Sequence, residues 1–273
     1  MIKPIIHGGW GMHIGEFPVA VEIYCDKAMP TQVNINNNLK ILWVNEPKEI
    51  FPHLQQHIIV NNHAYDFIFT SDPTLLSLGK SNIKHYMMFH CWNIPFAKEC
   101  GGIFNKKEFS VSTVVGNKEM LPGHLLRSDL WKRQKEITIP KRFYASSKGK
   151  LIDNVDPSMI LGDTKYEMFN SQFHIAIENV YRDNMFTEKL NDCIATKTIP
   201  IYWGCPNIKN IYDTRGMIIV DDLEDLIDKV NNLTADTYDE MKPYVEENFK
   251  IAMALAEVPA LHNAILTELN NKI

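Results

Sequence analysis

Short apolar stretches recur along the chain, and most of them end abruptly at a polar or turn-forming residue. Runs bounded in this way by Gly, Pro, Asn or Asp are typical of buried strands in a parallel sheet. They predict strands over residues 3–7, 39–44, 65–70, 109–115, 173–177, 199–203 and 217–220, with a short strand around Phe143. Residues 85–90 form a further apolar run, and the pattern leaves open whether a helix or a strand begins at residues 19–23.

Helical periodicity and capping residues separate these strands. Asp72 followed by Pro73 starts a short helix, because Asp is a favoured N-cap and Pro a favoured first helical residue. Longer helices are predicted over residues 124–136, after Thr187, after Asp221 and Asp222, and over residues 238–257 and 260–269. The alternation of strands and helices indicates an α/β fold.

The chain is long enough for two domains. Its 273 residues fit either one large domain or two of ordinary size, and we favour two. Residues 101–108 turn polar and contain glycine, which predicts a linker. We therefore place one α/β domain at residues 1–105 and a second at residues 106–273, and the last helix is free to pack back on the first domain.

The most informative stretch, residues 173–207, has the pattern of a strand, a polar loop, a helix and a second strand. Thr187 is placed to cap the helix. In such βαβ units, ligands lie beyond the carboxyl ends of the strands. Four polar residues are expected to converge there: Glu178, Asn179, Glu188 and Lys189.

These residues suit a diphosphate better than a carboxylate ligand. A helix start favours an anion, Lys189 adds a point charge, and Arg127 from the neighbouring helix adds a bidentate fork. A plainer interpretation stays open, in which Glu188 and Lys189 are an ordinary pair on the surface of an amphipathic helix.

Composition and charge narrow the class of protein. A hydrophobic content of 45% with 22% charged residues, without any apolar run near the ~20 residues of a membrane span, predicts a soluble globular chain. The N-terminal residues lack the apolar region of a signal peptide, and the five cysteines lack metal-ligand spacing. We therefore expect a cytoplasmic protein with reduced, mostly buried cysteines.

The net charge of −5 argues against a protein that coats nucleic acid. Basic residues nevertheless cluster between Arg127 and Lys150, either as a solvated helix face or as the edge of an anion-binding cleft. The dinucleotide fingerprint, the phosphate loop, the nucleophile elbow, the His-Glu-x-x-His metal site and an Asp-x-Asp pair are all missing from the sequence. We expect no bound metal and no cofactor besides the substrate, and a divalent ion at most to stimulate activity.

Three motifs lie in the second half of the chain: FHIAIEN at residues 173–179, FTEKL at residues 186–190 and TIPIYWGCPNI at residues 198–208. They resemble the donor-binding signature of the α-1,3-fucosyltransferases, glycosyltransferase family ten. In the family, a strand ends in Glu-Asn-Ser, Tyr-x-Thr-Glu-Lys opens a helix, and a strand with Pro-x-x-Trp-Gly-x-Pro follows. Residues 109–112, followed by Arg127-x-x-Leu130, resemble its strand and arginine helix. Residues 41–46 resemble its strand ending in Gly-Glu, and Gly9-Trp10 its N-terminal tryptophan turn. The likeness is strong over residues 109–232 and weak before them.

The resemblance implies a GT-B fold, in which two Rossmann-like domains face each other across a cleft. The first domain would serve the acceptor, and the second would bind a nucleotide sugar, GDP-fucose or a relative, for inverting transfer. By resemblance, Arg127 and Lys189 hold the diphosphate, and Glu188 holds the ribose or sugar. Glu46 would be the general base, with Glu178 in reserve, although Glu46 is equally well explained as a solvated carboxylate at a strand end. The remaining site residues are Asn179 and Thr187 for the donor, and Trp10, Met185 and Tyr202 for the acceptor or the cleft.

Departures from the family pattern leave alternatives open. Met185 stands where the family has Tyr, Val180 replaces Ser, Asn45 replaces Gly, and Cys205 replaces a small residue. We also expect neither the stem and membrane anchor nor the heptad or basic amphipathic tail seen in various relatives. We expect a carbohydrate acceptor. The alternatives are a non-glycan acceptor, such as a modified base in viral DNA, and a sugar- or nucleotide-binding module that has lost catalysis.

Overall fold

The computed structural model describes residues 1–8, 14–28, 36–87, 106–146, 155–162, 165–257 and 260–272. The chain divides into two compact units, residues 1–88 with 258–273, and residues 89–257. The boundary predicted between residues 105 and 106 borders a stretch outside the described residues and stays a prediction. Trp10 and most of the predicted linker also lie outside them.

The first unit is built on a parallel sheet of five strands in sequence order. The strands are β1 (Ile5–His7), β2 (Val21–Cys25), β3 (Leu39–Val44), β4 (Phe67–Thr70) and β5 (Ile83–His85). Two helices lie between them, α1 (Pro52–Asn61) and α2 (Pro73–Leu76). The undecided residues 19–23 thus begin a strand, and the Asp72 carboxylate caps α2 as predicted, accepting from the Thr74 N–H at 2.8 Å.

The second unit also has a parallel sheet, in which the strand order reverses. Its strands are β6 (Glu108–Val115), β7 (Lys141–Ala145), β8 (Ser171–Ile177), β9 (Ile199–Trp203) and β10 (Ile218–Ile219), in the spatial order β10-β9-β8-β6-β7. The helices are α3 (Pro122–Lys132), α4 (Glu188–Ala195), α5 (Leu223–Asn231) and α6 (Ala235–Glu257). Because β7 and β8 pair with opposite edges of β6, the carboxyl ends of β6 and β8 form the switch point at which ligands bind in such sheets.

The last helix, α7 (Ala260–Lys272), belongs to the first unit. Leu261, Ile265 and Leu269 pack with Phe17 and Trp43 in one apolar cluster on the sheet of that unit. Leu54 and Ile58 of α1 belong to a second cluster of the same unit. The predicted α/β class with two parallel sheets is therefore confirmed.

Helix α3 differs from its prediction at both ends. It begins at Pro122, two positions before the predicted start, and it ends at Lys132 instead of residue 136. Arg133 leaves the helical region with φ −98° and ψ 11°, and a 3₁₀ turn over Gln134–Glu136 follows. The earlier start matters for the site, because it includes Gly123, whose N–H donates to the Asn179 carbonyl just after β8.

Candidate functional site

A buried carboxylate joins the end of β8 to the start of α4. Glu178 directly follows β8 and is 1% exposed. Its Oε1 atom accepts a hydrogen bond from the Thr187 N–H at 2.8 Å, and its Oε2 atom accepts one from the Thr187 hydroxyl at 2.7 Å. Thr187 is the N-cap of α4, as predicted. The strand end and the helix start are therefore fixed to each other through two side chains.

Lys189 lies at this junction, among oxygen atoms. Its ammonium is 3.0 Å from the Thr187 hydroxyl, 3.4 Å from a carboxylate oxygen of Glu188 and 3.6 Å from one of Glu178. Burial lowers the pKa of Lys189, but the two carboxylates outweigh that effect, so the net pKa is raised. Conversely, burial raises the pKa of Glu188, and attraction to Lys189 and Lys165 lowers it further than burial raises it. The structure thus holds both groups in their charged forms.

Arg127 approaches the same strand end from α3. One guanidinium nitrogen donates to the Ile177 carbonyl, and another donates to the Asn179 side-chain oxygen at 2.9 Å. These acceptors lie on either side of Glu178 in sequence. The Gly123 N–H adds a hydrogen bond to the Asn179 carbonyl at 3.0 Å. Helix α3 is thus attached to β8 by backbone and side chain together.

His124 is a member of this cluster that the sequence did not single out. It is 6% exposed, and its Nδ1 atom accepts from the Leu121 N–H at 3.2 Å. Burial, together with the nearby Arg127, Lys118 and Lys189, lowers the pKa of His124 to about 4. The imidazole is therefore neutral at physiological pH. Its position three residues before Arg127 on one helix is the sequence signal that could have identified it.

These side chains form one constellation at the switch point of the sheet. Two cations, Arg127 and Lys189, lie near the start of α4, where the helix dipole favours an anion. A planar guanidinium fork, an ammonium and a helix start favour an anion with several oxygen atoms. The structure therefore brings together Arg127, Glu178, Asn179, Thr187, Glu188 and Lys189.

Glu46 lies in the first unit, just after β3. The N–H groups of Asn45 and Glu46 donate to one oxygen of the Asp26 carboxylate, at 2.8 and 3.0 Å. Asp26 is 6% exposed and adopts a left-handed conformation with φ 41°, which Asp tolerates better than most residues. Burial raises the pKa of Asp26, while these two N–H groups oppose the rise. Asp26 thus shapes the turn that carries Glu46, a role without a signal in the sequence.

Met185 and Tyr202 are both largely buried. Met185 is 8% exposed, and its sulfur accepts a hydrogen bond from Arg182 at 3.2 Å. Tyr202 is 1% exposed, its hydroxyl accepts from the Cys205 N–H at 3.0 Å, and it lines a pocket of about 150 Å³ beyond β9 and β10. Their predicted contacts with an acceptor or a cleft stay predictions.

Several cations of the basic run have partners within the second unit. Arg133 pairs with Glu136 and Glu224, and Arg142 pairs with Glu108. The Lys141 ammonium donates to the Gln134 and Ile137 carbonyls. The two predicted interpretations of the basic run, a solvated helix face and the edge of an anion-binding cleft, stay predictions. Lys148 and Lys150 lie outside the described residues.

Nowhere in the described ranges do three or more His, Cys, Asp or Glu side chains come together so that they could hold a metal ion. None of the helices that the structure describes combines the length and apolar character that a membrane crossing requires. Cys25, Cys193 and Cys205 are free and buried, as expected for small apolar residues, and Cys91 and Cys100 lie outside the described residues.

A family model covers the part of the chain that forms this constellation. Residues 127–259 match the model described as glycosyltransferase family 10 (fucosyltransferase), C-terminal. These residues are a glycosyltransferase family 10 domain. The resemblance of the motifs to that family is confirmed, and the chain is a glycosyltransferase. The family 10 domain contains the constellation from Arg127 to Lys189, whereas Glu46 lies outside the matched residues.

Solved structures share the fold. An α1,3-fucosyltransferase with GDP aligns with a TM-score of 0.54 and 13% identity, over 93% of this chain and 90% of that chain. A second α1,3-fucosyltransferase structure gives a TM-score of 0.55 and 15% identity, over 82% of this chain and 68% of that one. An α,α-trehalose-phosphate synthase (UDP-forming) from Burkholderia xenovorans aligns with a TM-score of 0.56 and 8% identity, over 92% of this chain and 74% of that chain. At these identities the likeness is one of fold, and it confirms the GT-B type. A comparison with curated protein sequences gives no significant match.

Proposed function

We propose that the chain transfers a sugar, fucose by resemblance, from a nucleotide-diphosphate donor to an acceptor hydroxyl of a carbohydrate, with inversion at the anomeric carbon. The observation that carries this proposal is the attachment of Arg127 and Lys189 to one strand end inside the family 10 domain. A structure of the same fold was solved with GDP, which supports GDP-fucose as the first donor to test.

The donor's diphosphate is assigned to the two cations. The Arg127 fork and the Lys189 ammonium offset the negative charge that grows on the leaving nucleoside diphosphate as the glycosidic bond breaks. Glu188, held ionised beside Lys189, is placed to accept hydrogen bonds from the donor's ribose or sugar hydroxyls.

The general base is assigned to Glu46. Its carboxylate takes the proton of the acceptor hydroxyl while the oxygen attacks the anomeric carbon opposite the leaving diphosphate. The new carbon–oxygen bond forms as the bond to the diphosphate breaks, and the bonding electrons leave with the nucleoside diphosphate. We prefer Glu46 to Glu178 because Glu178 is 1% exposed and both of its oxygens accept from Thr187.

A thermal-shift screen of GDP- and UDP-sugars tests this proposal. A donor present at about 100 times its Kd raises the free energy of unfolding by about 2.7 kcal/mol. We expect GDP-fucose to give the largest shift and then to release GDP when an acceptor is added. We expect EDTA to leave this release detectable, because the mechanism assigns charge neutralisation to Arg127 and Lys189. The proposal is wrong if none of the nucleotide sugars raises the unfolding temperature.

A further inference from the structure

Glu178 lies in the middle of the cation site without being able to touch a ligand. The residue before it and the residue after it both bind Arg127, through the Ile177 carbonyl and the Asn179 side chain. Its own carboxylate binds Thr187 and lies 3.6 Å from the Lys189 ammonium. Three successive residues therefore fix two cations that come from two different helices.

Two glycines close the space around Glu178. A Cβ atom at Gly123 would lie 1.7 Å from the Glu178 carbonyl oxygen, and one at Gly204 would lie 2.5 Å from its Cγ atom. With 1% of its surface exposed, the carboxylate is out of reach of a substrate. Any effect of Glu178 on a bound anion must therefore pass through Thr187 and Lys189.

The buried Glu178 carboxylate affects the charge of the site. Burying a charged group costs free energy, and burial raises the pKa of Glu178. Lys189 and the two hydrogen bonds from Thr187 oppose that rise, so these two residues stabilise the ionised carboxylate. Before a donor binds, Arg127 and Lys189 repel each other, and attraction to Glu178 favours the charged form of each. The buried carboxylate thus acts as a counter-ion of both cations.

We propose that Glu178 is the positioning residue of the donor site: through Thr187 it fixes the start of α4 and the Lys189 ammonium, and its charge holds the site's cations in place before the anionic donor arrives. This inference rests on the proposed function. It assigns Glu178 neither a contact with the donor nor a part in proton transfer.

If only the charge of Glu178 mattered, its removal would have the opposite effect on donor binding from loss of a positioning role. A carboxylate near an anion site repels the anion, so its neutralisation should strengthen binding if charge alone mattered. If Glu178 positions the cations, the Glu178→Gln variant should bind the donor more weakly, because the amide cannot accept both Thr187 bonds and no longer attracts Lys189.

The pH profile gives a second readout. The charged or titratable groups that face Lys189 are Glu178, Glu188, Arg127, Lys165 and His124. Removal of Glu178 leaves Glu188 as the carboxylate among these groups that attracts Lys189. Lys189 should then lose its proton at a lower pH, and binding of an anion should weaken earlier as the pH rises.

The experiment is a calorimetric titration of the full chain with GDP between pH 7 and pH 10. We expect Glu178→Gln and Thr187→Val each to weaken binding about tenfold or more at pH 7.5, the usual effect of losing a hydrogen bond to a charged group. As the pH rises, the affinity of Glu178→Gln for GDP should begin to fall at a lower pH than that of the unaltered chain. Thr187→Ser, which keeps the hydroxyl, should restore most of the affinity. Asp222→Asn alters a carboxylate that caps α5 in the same unit and should leave binding unchanged.

The outcomes separate the two proposals. If the unaltered chain does not bind GDP, the proposed function and this inference both fail. If it binds GDP and Glu178→Gln binds equally or more tightly with an unchanged pH profile, only the positioning role is overturned. Should Glu178→Gln not fold, Thr187→Val decides: unchanged affinity in that variant contradicts the inference.

Discussion

Gly123 packs against the backbone of Glu178 so closely that a Cβ atom at position 123 would lie 1.7 Å from the Glu178 carbonyl oxygen. The neighbouring hydrogen bond, from the Gly123 N–H to the Asn179 carbonyl at 3.0 Å, holds the first turn of α3 against the end of β8. Arg127 follows about one helical turn later. The absence of a side chain at position 123 therefore sets how near Arg127 can come to its acceptors.

Gly123→Ala should consequently damage stability and donor binding together. The added methyl group has to push α3 away from β8, an overpacking that typically costs about 1–3 kcal/mol. We expect a lower unfolding temperature and a weaker Kd for GDP by calorimetry. Gly162→Ala is the matched control, because a Cβ atom at Gly162 meets no atom within 4 Å. Equal unfolding temperatures and equal Kd values for the two variants would show that the close contact at Gly123 affects neither stability nor donor binding.

Arg127→Lys should weaken donor binding although it keeps the charge. Lysine cannot donate from one planar fork to both the Ile177 carbonyl and the Asn179 side chain, so the cation loses its fixed direction. We expect about a tenfold or greater rise in the Kd for GDP, the scale of a lost hydrogen bond to a charged group. Arg133→Lys, at the C-terminal end of the same helix and paired with exposed Glu136 and Glu224, should leave the Kd for GDP unchanged. If Arg127→Lys binds GDP with the Kd of the unaltered chain, the guanidinium fork does not contribute to donor binding.

Glu46→Gln tests the assignment of the general base. The variant should lower turnover by roughly two or more orders of magnitude and keep the Kd for the donor, since only proton transfer is removed. Initial rates at saturating GDP-fucose and calorimetry with GDP measure the two quantities separately. Glu49→Gln, an exposed neighbour, serves as the control. If Glu46→Gln keeps its turnover, a group other than Glu46 acts as the general base.

The stability of the second unit should fall as the pH drops below neutrality. His174 on β8 is 4% exposed, with its Nδ1 atom 2.8 Å from the Ser112 hydroxyl. Burial, with Lys165 and Lys107 nearby, lowers the pKa of His174 to about 3, against about 6.5 for an unfolded chain. Between these two values the unfolded state binds more protons than the folded state.

The free energy of unfolding should therefore decrease with falling pH, by up to about 1.4 kcal/mol per pH unit for this one group. Urea unfolding at pH 7, 6 and 5 measures the slope. His174→Asn should flatten the slope, whatever it does to stability at pH 7. A variant with the same slope as the unaltered chain would show that His174 does not contribute to it.

The features of the site that the sequence predicted are local ones. The Thr187 cap and the helix beginning at Glu188 depend on adjacent residues, and the structure confirms them. The carboxylate at the end of the Phe173 strand likewise follows from a polar residue ending an apolar run. Capping and strand signals act over a few positions, so a single sequence carries them.

The features that the sequence could not predict depend on which strands are neighbours. Gly123 contacts Glu178 only because β6 pairs with β8, and no local pattern specifies that order. Asp26 binds the turn at Glu46 for a similar reason, since β2 and β3 lie side by side. Neither residue has a chemical signature of its own, because one is a glycine and the other an ordinary carboxylate.

Calorimetric titration of the purified chain with GDP-fucose tests the central claim most directly. We expect saturable binding that the Lys189→Ala variant weakens by about tenfold or more, because the variant lacks the ammonium that we assign to the diphosphate. Other GDP- and UDP-sugars belong in the same series, so that a different donor is recognised if one is used. The absence of saturable binding for every one of these nucleotide sugars would contradict the account.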